Sequence, residues 1–159
     1  MIILIGSQKG GCGKSTLAVN IAAELARLKK DVCLVDADRQ GTSSRWSQDR
    51  AGSSYAPVHC VAQFDNIHAT LKDLGTRYGF VVVDVAGRDS RELRTGMLAA
   101  DILLTPFRPS QPDLDTLPHL VEVATQAKDN APYYEHTQLG FNYRMIYTSY
   151  WSILGSHTM

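Results

Sequence analysis

The chain has 159 residues, 44% of them hydrophobic, and its 16 Lys and Arg balance 16 Asp and Glu for a formal net charge of zero. At roughly 150 residues per domain this is about one domain, which can bury on the order of 68–70% of its unfolded surface without a disulfide or metal staple. Zero net charge excludes a surface that is polycationic throughout, so any contact with nucleic acid has to come from a local basic face.

Cys12, Cys33 and Cys60 are widely spaced and form no C-x-x-C pair, so neither a disulfide framework nor a zinc ribbon is predicted and a reducing cytoplasm is the expected compartment. The apolar start, Met1 to Ile5, is too short for a membrane span and lacks the basic flank of a signal peptide.

In chain order, Ile2 to Ile5 is a continuous apolar run and predicts a strand. Leu17, Ile21, Leu25 and Leu28 then recur at helical spacing and predict the buried face of a helix. Val32 to Val35 predicts a second strand that stops at Asp36. A weaker run from Val58 to Ala62 precedes a helix with Ile67, Leu71 and Leu74 on its apolar face. Phe80 to Val83 predicts a strand ending at Asp84, followed by a helix carrying Leu93, Met97 and Leu98. Ile102 to Leu104 is the next strand, and a last helix is expected to start between Pro112 and Pro118 and to run through Leu120, Val121 and Ala124. Wholly apolar strands alternating with helices imply an α/β fold, a mostly parallel sheet with helices on both faces. Ligands of such sheets bind at the carboxyl ends of the strands.

The polar motifs fall at those ends. Between the first strand and the first helix stands Ser7-Gln8-Lys9-Gly10-Gly11-Cys12-Gly13-Lys14-Ser15-Thr16. Glycines let such a loop curl its N–H groups around phosphate oxygens, and the helix that follows adds its positive end. Lys14 is then placed for the β and γ phosphates and the Ser15 hydroxyl for Mg²⁺. The ordinary G-x-x-x-x-G-K-[ST] pattern fails by one residue, because Gln8 occupies its first glycine position. Asp36-Ala37-Asp38-Arg39-Gln40-Gly41 follows the second strand, and Asp84-Val85-Ala86-Gly87 follows the Phe80 strand. Asp at such places also serves as a plain helix cap or turn residue.

The variant loop resembles the deviant Walker A box, K-G-G-x-G-K-[ST], of the ParA/MinD ATPases. Residues 1–128 resemble the small ParA partition ATPases and so imply a P-loop NTPase domain, with 129–159 a divergent aromatic-rich segment. The resemblance implies ATP and Mg²⁺ as cofactors. It implies that Lys9 to Thr16 bind the nucleotide, Lys9 reaching the partner subunit's phosphates across a nucleotide-dependent homodimer. Asp38 would orient the attacking water, Ser15, Asp36, Asp38 and Asp84 would serve the metal, and Gly87 would sense the γ-phosphate. Asp36 to Gly41 resembles the family's D-x-D-P-Q-G, with Arg39 in the usual proline's place. Pro106-Phe107-Arg108-Pro109-Ser110 resembles the proline loop beside the base, although a strand-ending turn has the same composition. No N-K-x-D guanine signature occurs.

Family members act in plasmid or chromosome segregation with non-specific DNA and a ParB-type centromere-binding partner. Arg88, Arg91, Arg94, Arg77 and Arg108 are the candidate phosphate contacts, with Asp89 and Glu92 interspersed as on a solvated helix. A nucleotide-dependent scaffold without hydrolysis, or an altered paralogue, are the alternatives. A membrane-recruited, MinD-like reading needs a basic amphipathic end, whereas residues 133–159 hold seven aromatics but one Arg and one Glu. No membrane contact is therefore expected.

Overall fold

The computed structural model describes residues 1–106, 111 and 115–129, with side chains as far as Gln126. The expectations for residues 107–110, for a helix start near Pro112 and for the aromatic-rich end lie outside the described residues. Among these, the strands are β1 (Ile2–Ile5), β2 (Val32–Ala37), β3 (His59–Ala62), β4 (Phe80–Val85) and β5 (Ile102–Leu104). The helices are α1 (Lys14–Arg27), α2 (Thr42–Ala51), α3 (His68–Arg77), α4 (Arg91–Met97) and α5 (Leu117–Asp129).

The strands form one sheet in the order β3-β2-β4-β1-β5, and every pairing is parallel. The alternating pleat divides the core in two. Ile3, Ile5, Leu34 and Val82 face α1 and α2, while Leu4, Val35, Val81 and Val83 face α3, α4 and α5. The expected α/β fold, with helices on both faces of a parallel sheet, is what the chain adopts.

Two helices depart in part from the buried residues expected of them. In α1 the residues buried on the sheet are Lys14, Ala18, Ala22 and Ala26. Leu17, Ile21 and Leu25 flank this stripe half-buried, and Leu28 is 51% exposed. Alanines at i, i+4 and i+8 let the helix backbone come close to the sheet, and the larger residues then close the sides. Lys14 shares the alanine stripe and is therefore directed inward. In α5 the buried residues are Leu120, Val123 and Ala124, and Val121 is 44% exposed, since it stands about 100° around the helix from Leu120.

The strand ends also differ from expectation. β2 and β4 continue through Asp36 and Asp84 instead of stopping before them, and these two residues are register partners. By the alternation of the pleat, both carboxylates share the α1 and α2 face with Leu34 and Val82. The Asp84 to Gly87 segment thus begins inside the sheet.

Candidate functional site

Ser7 to Gly13 connects the carboxyl end of β1 to α1. Gly11 (φ 71°) and Gly13 (φ 89°) adopt the left-handed backbone that a side chain would resist, and Gly13 is the N-cap of α1. No side chain caps this helix and no acidic residue lies in its first turn. Its terminal N–H groups and positive dipole end therefore face the loop. The Lys14 ammonium donates to the Lys9 carbonyl at 2.8 Å and lies 3.8 Å from Cys12 Sγ. Ser7 Oγ donates to the same carbonyl at 2.9 Å and lies 3.0 Å from Cys12 Sγ. Cys12 is thus a small buried side chain packed inside the turn. Gly10, Gly11 and Thr16 are exposed, and Ser15 is half-buried at the head of α1.

Gly87 closes one side of the loop. A Cβ there would collide with the Lys9 carbonyl and stand 2.5 Å from Lys14 Nζ. The end of the Asp84 to Gly87 segment therefore lies directly on the peptide that holds Lys14, a packing open only to glycine.

The carboxylates line the neighbouring strand ends. Asp36 is fully buried; its Oδ1 accepts the Asp38 N–H at 3.2 Å and its Oδ2 accepts the Ser44 N–H at 2.7 Å. Ser44 is the third residue of α2, whose N-cap, Gly41, has no side chain to cap with, so Asp36 does the capping from the strand. Asp38 is half-buried, and its Oδ1 accepts the Gln40 N–H at 3.0 Å in a tight turn. Both the cap and the turn expected of a structural aspartate are present. Arg39 lies 5.0 Å from the centre of the Phe64 ring and 3.4 Å from Asp65, tying the turn to the loop after β3.

Asp84 is also fully buried, and Ser43 Oγ donates to its Oδ2 at 2.7 Å. Its Oδ1 is buried without a hydrogen-bond partner. Burial pushes the Asp84 carboxyl above the usual range; the Ser43 and Ser15 hydroxyls hold it down, and the charges of Asp36 and Asp38 add to the rise. A buried carboxylate oxygen with an open lone pair, beside a serine hydroxyl at a helix N-terminus, fits a hard cation. Mg²⁺ takes one or two carboxylates and fills the rest of its octahedron with phosphate oxygens and water. Among the described residues no group of three or more His, Cys, Asp or Glu is placed to cage a metal, so Asp36, Asp38 and Asp84 do not form such a group.

Ser43 escapes the sequence reading. Apolar periodicity finds no buried stripe in α2 because that stripe is Ser43 and Ser47, the latter donating to the Val58 carbonyl at 2.7 Å. The usable signal is the pair of serines four residues apart just after the Asp36 to Gly41 segment.

Pro106 is buried beside Ser7, Cys12 and Thr105 at the back of the loop. Arg88 and Arg91 are exposed, whereas Arg94 donates to Asp89 at 2.7 Å and Arg77 pairs with Asp73 at 3.0 Å. A cleft of about 600 Å³ opens between the ends of α1 and α2 and the start of β3, at the amino ends of the strands. Beside it, burial pushes the Cys33 thiol up to about 12, which rules out a thiolate nucleophile there.

The family model for ATPase MipZ matches residues 1–146. The chain is 40% identical over 119 residues to a Maintenance of carboxysome distribution protein A from Gloeobacter kilaueensis, covering 73% of this chain and 53% of the relative. It is 32% identical over 116 residues to Protein ParA of Rhizobium radiobacter, covering 70% of this chain and 50% of that one. The chain thus spans about half the length of these relatives. The fold superimposes with a TM-score of 0.66 on a putative plasmid partition protein from Borrelia burgdorferi B31 bound to AMPPNP. That likeness covers 80% of this chain and 70% of the other at 20% identity. With a P-loop at the head of a parallel sheet and a family match over most of its length, the chain belongs to the MipZ family of ParA/MinD-type ATPases.

Proposed function

We propose that this chain is a nucleotide-switched partition ATPase: it binds ATP with Mg²⁺, dimerises around the nucleotide, hydrolyses it slowly, and segregates DNA with a ParB-type partner. The observation that carries the reading is the convergence of the buried Lys14 ammonium, the close-packed Gly87 and the open Asp84 Oδ1 at the carboxyl ends of β1 and β4. ATP is the expected nucleotide because the B. burgdorferi partition protein is named with AMPPNP bound. The G. kilaueensis relative is named for carboxysome distribution, so a protein-organelle cargo is a further version of the same activity.

In this reading the loop N–H groups and Lys14 cradle the β and γ phosphates, and Lys9 serves the partner subunit's nucleotide. Ser15 and Asp84 hold Mg²⁺ and Asp36 supports them, while Asp38 orients water. Bound Mg²⁺ would offset charge on the phosphates. Gly87 places its peptide where phosphate occupancy can be felt, since it already rests on Lys9 and Lys14. The family's activity implies work in the cytoplasm or on the nucleoid.

The turn made by Asp38 with Gln40 favours a second reading, a nucleotide-dependent scaffold that does not hydrolyse. Phosphate release by wild type and Asp38→Ala, with and without DNA, separates the two. The ATPase reading expects slow wild-type turnover that Asp38→Ala removes while ATP binding persists. Binding without any turnover in wild type establishes the scaffold.

A further inference from the structure

Two bonds tie the first turn of α2 to the strand ends. The Ser44 N–H is held by Asp36 Oδ2 at 2.7 Å, and Ser43 Oγ donates to Asp84 Oδ2 at 2.7 Å. Ser43 is fully buried, as is Asp84. The pairing leaves Asp84 with one oxygen committed and the other, Oδ1, buried and open. A carboxylate on a single Cβ turns about χ1 and χ2, and a buried hydroxyl bonded to one oxygen fixes where the other points. The hydroxyl belongs to the helix that follows the Asp36 to Gly41 turn, so it links that turn to β4.

We propose that Ser43 is a positioning residue for the divalent cation: by holding Asp84 Oδ2 it presents Oδ1 to the hydration shell of nucleotide-bound Mg²⁺. This rests on the reading of the loop as a Mg-nucleotide site. Ser43 touches neither nucleotide nor metal and acts through Asp84. Partners of this kind, which orient a ligand from behind, typically change metal affinity by about 10- to 100-fold when removed.

The test is a Mg²⁺ titration of fluorescent ATP-analogue binding to the full chain, as wild type, Ser43→Ala, Asp84→Asn and the double variant, with melting temperatures alongside. Ser43→Ala is expected to raise the Mg²⁺ concentration needed for half-maximal tightening by roughly 10-fold or more, with nucleotide affinity in EDTA unchanged. Because Ser43 acts through Asp84, adding Ser43→Ala to Asp84→Asn is expected to produce no further change, a non-additivity that loss of packing alone does not produce.

An unchanged Mg²⁺ dependence in Ser43→Ala overturns the proposal. So does a loss that appears equally in EDTA, or one that adds fully to Asp84→Asn. Should the alanine variant not fold, Ser43→Gly, which likewise removes the hydroxyl that bonds Asp84 Oδ2, carries the same comparison, and the same outcomes overturn the proposal. If wild type itself shows no Mg²⁺-dependent nucleotide binding, the functional reading fails and the role of Ser43 fails with it. Mg²⁺-dependent binding in wild type with an indifferent Ser43 overturns only the positioning role.

Discussion

Asp36 and Asp84 stand side by side as register partners on β2 and β4, both fully buried on the α1 and α2 face of the sheet. Two carboxylates so placed are a cost to the fold unless something cationic or hydrogen-bonded meets them. The two solve this differently. Asp36 is met by two backbone N–H groups, whereas Asp84 takes the Ser43 hydroxyl on Oδ2 and leaves Oδ1 without a hydrogen bond, with the Ser15 hydroxyl close by.

Replacing Asp84 by Asn therefore separates stability from function. The folded-state carboxyl titrates above its ordinary value, so the folded chain holds a proton that the unfolded chain has released. Stability falls as pH rises through that window, and ionised Asp84 remains a cost above it. Asp84→Asn is expected to raise Tm at neutral pH in the absence of Mg²⁺, by roughly 2–4 °C if the gain is about 1 kcal/mol. Calorimetry of the metal-free variants checks this.

For Asp36 the expectation is reversed. Asp36→Ala removes the acceptor for the third N–H of α2 and for the Asp38 N–H together. Loss of a helix cap alone costs about 0.5–2 kcal/mol, and a buried N–H left without a partner adds about 1–3. Chemical denaturation should show a lower midpoint, with α2 and the Asp38 turn exchanging amide hydrogens first.

Gly87→Ala should fail on steric grounds. Its methyl would meet the Lys9 carbonyl and the Lys14 ammonium at once, and overpacking of this kind costs about 1–3 kcal/mol. Nucleotide affinity is expected to fall with little change in helix content, as read by analogue fluorescence and circular dichroism.

Much of this was legible in the sequence because the chemistry is local. A loop of ten residues between an apolar run and a helix places Lys14 and Ser15 without knowledge of the rest, and the alternation of apolar runs gives the parallel sheet. What stayed hidden depends on partners distant in sequence. The face of α1 follows its alanines because close approach to the sheet selects small residues, so Leu28 is left in solvent. Ser43 is buried only because Asp84, 41 residues away, lies across from it. The double duty of Asp36 depends on a glycine N-cap that cannot cap its own helix.

The arginines of the α4 region should divide in a DNA-binding assay. Arg94 is neutralised by Asp89, while Arg88 and Arg91 are exposed. Arg88→Ala and Arg91→Ala are each expected to reduce the slope of log K against log salt by about 1, and Arg94→Ala to leave it nearly unchanged. Filter binding or anisotropy across a salt series distinguishes them.

Everything proposed for the site depends on the Ser7 to Thr16 loop being a phosphate cradle whose cation is Lys14. Equilibrium binding of ATP, in Mg²⁺, to wild type and to Lys14→Ala decides it. A cradle gives saturable binding by wild type and an affinity lower by roughly 10- to 150-fold in Lys14→Ala, the worth of a charged hydrogen bond of about 1.5–3 kcal/mol. Equal affinity in the two proteins, or no binding by wild type, would mean that the loop is no such cradle.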